Sequence, residues 1–501
     1  MPQKTKTEES VVPWMFPPGI QRDGTVRESR ACVDGQSVRW FNGHLRKMGG
    51  HVACVTQVTN PVRNLDLFWA GAQGYVHAMS QTKLERLTIT AAGVTSAVTD
   101  RTPAGFTNDT DNNWQSAVMF DEASATNMLI AHCTDNLDDP SSGTARPIYY
   151  GDISATAALT TTGQSIDGGI VVLQPYLVAY GSGGDVRWTD ANKPADWVSG
   201  DAGNDRVTKS KIVRGFPVRA GGDAAEGLLW SLDSLIRMRY VGGTAIFQFQ
   251  TLSEEISVLS SNAIVEYGGR FFWPATDRFM VYDGTLRDLP NDLNSNWFFD
   301  NLNYTHRQKV WGTIIPRFGE IHWHYPRGNA TECSHTIIFS LAETVRTGQA
   351  VWYDREIARS AGSRPKDFRF PLWAGTDNPS TLWRHEVGTD QVDFAAATTA
   401  IDAYAESNPI DLSAQGINDW VLLKRIEPDA TQTGDVTWTV RGREFARAAD
   451  VDTNHTCTSS QTKIDLTEQR RQMRLKVRSN VVGGNFEMGK QLLHIEPGTG
   501  Q

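Results

Sequence analysis

The sequence predicts an all-β fold: a β-propeller of five to seven blades, with an additional antiparallel β-sandwich-like module towards the C-terminus. Three observations carry this expectation. A unit recurs roughly every 40 residues, each copy an apolar β-rich run, then an aromatic strand, then an acidic or glycine turn. The copies end near Tyr75, 149–152, 188–190, 240–243, 282–284, 325–328, 353–354 and 383–388. The 44 Gly and 21 Pro suit a chain that turns often, and few segments are long or periodic enough for helices.

Taken in order, residues 1–22 read as a flexible tail with a Pro-rich entry, VVPWMFPPGI at 11–20. Residues 23–50 read as short strands joined by tight turns at Asp23-Gly24, Asp34-Gly35 and Asn42-Gly43, because Asx-Gly pairs favour the positive φ of two-residue hairpins. These strands either close the propeller or join the neighbouring module. Residues 51–395 carry the blade-like units. The clearest is SNAIVEYGGRFFWPATDRFMVYDG at 261–284, three short strands with turn chemistry between them. The next is KVWGTIIPRFGEIHWHYPRG at 309–328. Polar stretches at 107–113 and 135–146 read as surface connections. The stretch FAAATTAIDAY, from Phe394, reads as a linker or short helix.

Residues 396–501 form the last unit, with alternating strands at 420–428, 435–445, 462–466 and 472–481. On the last of these, Arg474, Lys476 and Arg478 share one face. They read as a charge-protected edge strand, or as candidate contacts to an acidic partner or to phosphates.

Composition sets limits. A chain of 501 residues exceeds one compact core, and 40% hydrophobic residues with 16 Trp and 20 Phe supply packed β-layers. A net charge of −9 argues against gripping nucleic acid over the whole surface. Five scattered cysteines, with no CxxC, predict no disulfide framework and folding in a reducing cytoplasm. Residues 1–10 lack the apolar stretch of a secretion signal. The most apolar segment, 169–181, is broken by Gln174 and Pro175, so membrane insertion is not expected.

Enzyme motifs are absent from the sequence: no P-loop, HExxH or GxSxG. The segment SGGDVRW at 182–188 reads as a β-turn before an aromatic strand. His322 and His324 share a strand face and read as a polar stripe rather than a metal pair. The acidic doublets Asp138–Asp139 and Glu254–Glu255 read as solvated loop charges. No catalytic, metal or cofactor site is expected.

Several segments together resemble the tail nozzle, or packaged-DNA stabilisation, proteins of short-tailed bacteriophages (podoviruses). They are GTVRESRACVDGQSVRWFNGHLRKMGG (24–50), VRWTDANKPADW (186–197), FFWPATDRFMVYDG (271–284) with Leu289-Pro290, and EIHWHYP (320–326). WVLLKRIEPD (420–429), VRGRE (440–444), KIDL (463–466) and RQMRLKVRSN (471–480) complete the series, which spans roughly 20–490. The resemblance implies a virion structural protein, made in the bacterial host cytoplasm and carrying no catalytic residues. It implies a homo-hexameric tube below the portal and tail adaptor, retaining genomic double-stranded DNA and conducting it through the lumen without tight binding. It further implies tailspikes or fibres outside and a needle or plug at the far end, with the C-terminal module serving ring assembly or adaptor contact. The alternative expectation is a propeller enzyme or lectin acting on host surface glycan, in which Asp185, Asp190 and Asp201 would converge as paired carboxylates.

Overall fold

The computed structural model describes residues 9–90, 93–106, 113–134, 144–218, 225–363, 370–410, 420–443 and 447–498. Strands make up 55% of the chain and helices 6%, so the fold is all-β. No helix among the described residues is long and apolar enough to cross a membrane.

Seven sheets follow one another, the first six of them four-stranded antiparallel up-and-down meanders. Sheet 1 comprises Val62–Ala70, Gln73–Ser80, Leu84–Thr90 and Gly93–Asp100. Sheet 2 comprises Trp114–Asp121, Thr126–Cys133, Arg146–Asp152 and Thr160–Ile166. In sheet 3 are Gly169–Leu173, Tyr176–Tyr180, Asp185–Trp188 and Gly203–Arg206. Sheet 4 holds Ile212–Pro217, Glu226–Ser231, Leu235–Gly242 and Ile246–Ser253. Sheet 5 holds Val265–Tyr267, Arg270–Pro274, Phe279–Tyr282 and Leu286–Asp288. Sheet 6 holds Trp311–Ile315, Glu320–Tyr325, His335–Ser340 and Val351–Glu356.

Sheet 7 begins with Ala361–Gly362, Leu372–Ala374 and Ser380–His385. Its next strand comes from the other end of the chain, His51–Val58, antiparallel to Ser380–His385. Asp390–Val392 then pairs in parallel with that strand, and Thr398–Ala400 with Asp390–Val392.

Local chemistry explains the tight turns. Asn42 and Gly43 (φ 53° and 83°) join Val38–Phe41 to His44–Lys47, and Gly268-Gly269 (φ 62° and 76°) join the first strands of sheet 5. Both are two-residue loops in the left-handed region, which matches the strand twist. Asp34-Gly35, expected as a third such turn, lies instead within the strand Asp34–Gln36. Neighbouring sheets meet closely on their first strands. A Cβ at Gly312 would lie 2.3 Å from Val265 Cγ2.

The two ends of the chain form one further module. Val38–Phe41 and His44–Lys47 make a small sheet with Asn485–Met488 and Ala430–Thr433. The larger sheet runs Ser10–Trp14, Gln491–Pro497, Trp420–Glu427, Ile464–Ser479, Ala403–Glu406 and Asp34–Gln36, with Val436–Arg443 and Val451–Cys457 branching from Ile464–Ser479. Trp40, Leu45, Phe486 and Met488 of one sheet meet Leu423, Trp438, Leu475 and Ile495 of the other in a single core. That core continues into Ile338, Val351 and Tyr353 of sheet 6. Burying such side chains contributes about 1.5–3 kcal/mol each.

Three expectations change. Phe394 to Tyr404 is neither linker nor helix: it holds Thr398–Ala400 and the start of Ala403–Glu406. The basic strand is not an edge, because Ile464–Ser479 is paired on both sides. Ser10–Trp14, inside the stretch expected as a flexible tail, pairs along Gln491–Pro497; residues 1–8 lie outside the described residues. The five cysteines are buried and unbridged.

Candidate functional site

The first strands of six of the seven sheets face one cavity of about 570 Å³, and Asn262, just before the first strand of sheet 5, completes its wall. Asp66, Ser116, Val171, Phe216, Gly312 and Gly362 all lie on its wall. The volume is that of a small-molecule pocket. Asp66 is the one carboxylate among the described lining residues. It is engaged by Asn64 Nδ2 at 2.8 Å and by the hydroxyl of Ser116.

Where the first strands begin, side chains link one sheet to another. Arg63 of sheet 1 donates two bonds to Glu332, in the loop between the second and third strands of sheet 6, at 2.6 and 2.7 Å, and Lys309 adds a third at 2.9 Å. Asn113 donates to the Gln308 carbonyl, and Arg214 to Asn262 Oδ1 at 3.1 Å. Gln115 is buried between sheets 2, 3 and 4. Its amide donates to the Val213 carbonyl (2.8 Å) and accepts from the Ile170 amide (3.2 Å) and the Tyr180 hydroxyl (2.7 Å). This end is therefore tied across by neutral amides and ion pairs. Buried polar groups met this fully fix a single geometry.

The second concentration of chemistry lies where the terminal module meets sheets 6 and 7. Arg39, fully buried on the Val38–Phe41 hairpin, contacts Glu320 of sheet 6 at 2.8 Å and Glu386 beyond sheet 7 at 2.6 Å. Burial disfavours its charge, but the two carboxylates outweigh that and raise its pKa further. Burial likewise opposes ionisation of Glu320, yet Arg39 and then His322 hold its carboxyl down at about 2. Tyr353 donates to the same carboxylate at 2.6 Å.

His322 and His324 are not a surface stripe. Both are buried: His322 bonds Glu320 at 2.8 Å, while His324 stacks on Trp311 at 4.1 Å and bonds Thr336 at 2.7 Å. Burial lowers both pKa values, that of His324 strongly. Among the described residues no three metal-binding side chains come together.

The other candidate residues are found as follows. Arg474 is buried against Glu406 and Asp450 at 2.6 and 2.5 Å, and Arg478 pairs with Asp402 at 2.7 Å. Lys476 lies over the Tyr404 ring at 3.8 Å. Asp190 organises its own loop, accepting from the Ala191 and Asp201 amides and from Lys193. Asp201 accepts from the Tyr176 hydroxyl at 2.9 Å. Asp185 pairs with Arg187 at 2.8 Å and lines a polar cleft of about 540 Å³ with Gln164, Trp197, Asn204 and Asp205. Ser182–Gly184 is a single turn before Asp185–Trp188, as the sequence suggests. Glu254 and Glu255 are exposed, and Asp138–Asp139 lie outside the described residues.

The Arg39 cluster had no sequence signal beyond a lone arginine in a β-hairpin. Its partners are 281 and 347 residues away.

No protein-family model matches the chain, and no curated protein matches it significantly in sequence.

Proposed function

We propose that the seven sheets are the blades of a β-propeller, and that the chain is a virion structural protein, the nozzle protomer of a short-tailed phage. The blade reading is supported by six first strands and Asn262, before the first strand of sheet 5, facing one cavity, and by His51–Val58 completing the seventh sheet. The nozzle reading starts from the motif series across 20–490. The observation that carries it beyond that series is the use of the buried chemistry. Arg39, Glu320 and Glu386 bolt a two-sheet module, built from both chain ends, rigidly onto the ring of sheets. Rigid modular blocks of this kind suit ring assembly, which needs heterologous surfaces held at a fixed angle.

In this reading six copies form a tube below the adaptor, and DNA passes between protomers down the shared lumen. The cavity at each protomer's centre, about 570 Å³ and tied across at one end, takes no duplex. A charge of −9 per chain repels the phosphate backbone and keeps friction low. Phe394, Val451 and Val482, each more than half exposed, supply apolar contacts on the module and the adjoining hairpin. Electron microscopy of the phage particle with a C-terminal label tests the proposal. Six-fold label density at the tail end is expected. A chain found only as free monomers and absent from the particle overturns it.

A second reading, a glycan-binding or glycan-cleaving propeller, draws on the cleft where Trp197 sits with Gln164, Asp185, Asn204 and Asp205. An aromatic face beside amides and carboxylates is chemistry that suits a sugar ring. Retained glycan binding by the free chain, lost in Trp197→Ala, would favour it.

A further inference from the structure

A separate cavity of about 750 Å³ opens where sheets 6 and 7 meet the terminal module. Its wall carries Arg355 from the last strand of sheet 6, Arg359 from the following connection, and His51 from the strand that completes sheet 7. These three are only 4%, 6% and 4% exposed.

Their hydrogen bonding is incomplete. The one bond that Arg355 donates goes to the Met48 thioether at 3.7 Å. Arg359 donates to His385 Nε2 at 2.9 Å and to the Ala358 carbonyl at 2.7 Å, leaving its second Nη without a partner. Neither guanidinium has a carboxylate partner among the described residues. By contrast Arg22, on the same wall, is held by Asp34 and Asp354 at 2.5 and 3.0 Å. Glu356 points outward to solvent, and Asp402 is taken by Arg478. Burial, with Arg39 nearby and against the pull of Glu386 and Glu320, lowers Arg355 to about 10; burial, with Arg355 beside it, lowers Arg359 to about 9. A buried cation without a contacting counter-charge costs several kcal/mol, and although Asp34, Asp354, Glu356 and Asp402 also line the cavity, none of them pairs with either guanidinium.

His51 adds a second requirement. Its Nε2 bonds Gln391 Oε1 at 3.0 Å, so Nε2 carries the hydrogen and Nδ1 is an acceptor. That Nδ1 is buried and unpartnered.

We propose that this cavity is an oxyanion site, in which Arg355 and Arg359 bind the charged oxygens and His51 Nδ1 accepts from an anion that still bears a hydrogen. Hydrogen phosphate has both features. Sulfate, of similar size and charge, has no hydrogen to give. The source is either free inorganic phosphate or, in its singly protonated form, a phosphomonoester end of nucleic acid, whose dianion has no hydrogen to give. The inference stands apart from the nozzle reading, since it rests on these side chains alone.

Equilibrium dialysis of the full chain with radiolabelled inorganic phosphate, at constant ionic strength, tests it. Saturable binding is expected, with sulfate competing roughly tenfold less well, a difference of about 1.4 kcal/mol. Arg355→Gln and Arg359→Gln should each abolish uptake. Because each removes an uncompensated buried charge, neither should lower the melting temperature in phosphate-free buffer. Arg206→Gln, on the exposed end of sheet 3, should bind normally. Competition by a 5′-phosphorylated dinucleotide but not by its unphosphorylated form would identify the nucleic-acid source. No saturable uptake, or uptake unchanged in both arginine variants, overturns the site. Equal competition by sulfate overturns the role of His51.

Discussion

Sheets 3–5 and sheets 6–7 pack the same architecture with different chemistry. In sheets 4 and 5 the neighbouring faces meet through rings: Trp230 lies 5.2 Å from Phe271 and 5.8 Å from Trp273. Sheet 3 adds Val171, Tyr180 and Ile236 of sheet 4 to a similar apolar cluster. Residues 169–288 contain no histidine at all. Sheets 6 and 7 instead bury Glu320, His322, His324, His385, Arg355 and Arg359, with Arg39 and His51 inserted from the N-terminal segment. Apolar faces would accept many neighbours. The charged junction accepts one, because misplacing Arg39 strands two carboxylates. The difference teaches that sheets 3–5 are held together largely by apolar burial, while the position of the terminal module is specified by ionic chemistry.

The strongest way to break this comparison is Arg39→Ala. Leaving Glu320 and Glu386 unpaired should cost about 3–5 kcal/mol, read as a large drop in the urea midpoint. A combined replacement of Arg39, Glu320 and Glu386 by methionine should recover much of that loss. Recovery would show that the cluster sets geometry more than it adds stability.

Acid should divide the two regions next. Burial lowers His51 to about 2, with Arg359 and Arg355 adding to the shift, and holds His324 and His385 well below the ordinary value of 6.5. Because the unfolded chain protonates these groups first, it binds more protons below pH 6.5, and stability falls as pH drops through that point. Each group removes up to about 1.4 kcal/mol per pH unit. Glu320 adds a further loss below its unfolded value of 4.5, as its lowered pKa of about 2 no longer favours the fold. Hydrogen exchange at pH 5 should therefore open 320–325 and 380–385 before 170–180 and 228–238. Simultaneous opening would erase the distinction.

Smaller effects sharpen the comparison further. Gln115→Ala removes the side-chain partner of the Val213 carbonyl and the Ile170 amide, while the Tyr180 hydroxyl keeps the Ile170 carbonyl and the Gly215 amide, at about 1–3 kcal/mol. Gly312→Ala places a methyl against Val265, and overpacking there should cost about 1–3 kcal/mol; Gly388→Ala meets no atom within 4 Å and isolates the backbone contribution at its φ of 65°. Arg478→Ala, which breaks an exposed pair with Asp402, should change stability by about 0–1 kcal/mol and fade with salt. All four can be read from thermal melts.

The all-β class and several turns were legible because their signals are local. Asn42-Gly43 and Gly268-Gly269 sit where a two-residue hairpin demands them. The aromatic anchors mark sheets rather than strands, and their positions slip. Tyr149, Trp188, Tyr240, Tyr282 and Trp383 fall on third strands, but Tyr325 and Tyr353 share sheet 6, so eight anchors describe seven sheets. Phe394 to Tyr404 was misread because alanine favours helix locally, while Ala403 and Ala405 are fully buried against strand Ile464–Ser479. The charges on that strand suggested an edge, since their partners Glu406, Asp450 and Asp402 are separated from them in sequence. The buried junction was illegible for the same reason: histidines look polar until Trp311 and Glu320 are seen to enclose them.

Completion of sheet 7 by His51–Val58 has a consequence for synthesis. Val58 must wait for Ser380, and Ser10–Trp14 must wait for Gln491–Pro497, almost the full length of the chain. At about 5–20 residues per second, the ribosome holds an open, edge-bearing intermediate for tens of seconds before either pairing can form. A chain stalled before its last strand would expose Trp420–Glu427 along the edge that Gln491–Pro497 covers, a template for pairing between nascent copies. Finishing the fold and becoming safe from aggregation are thus the same late event.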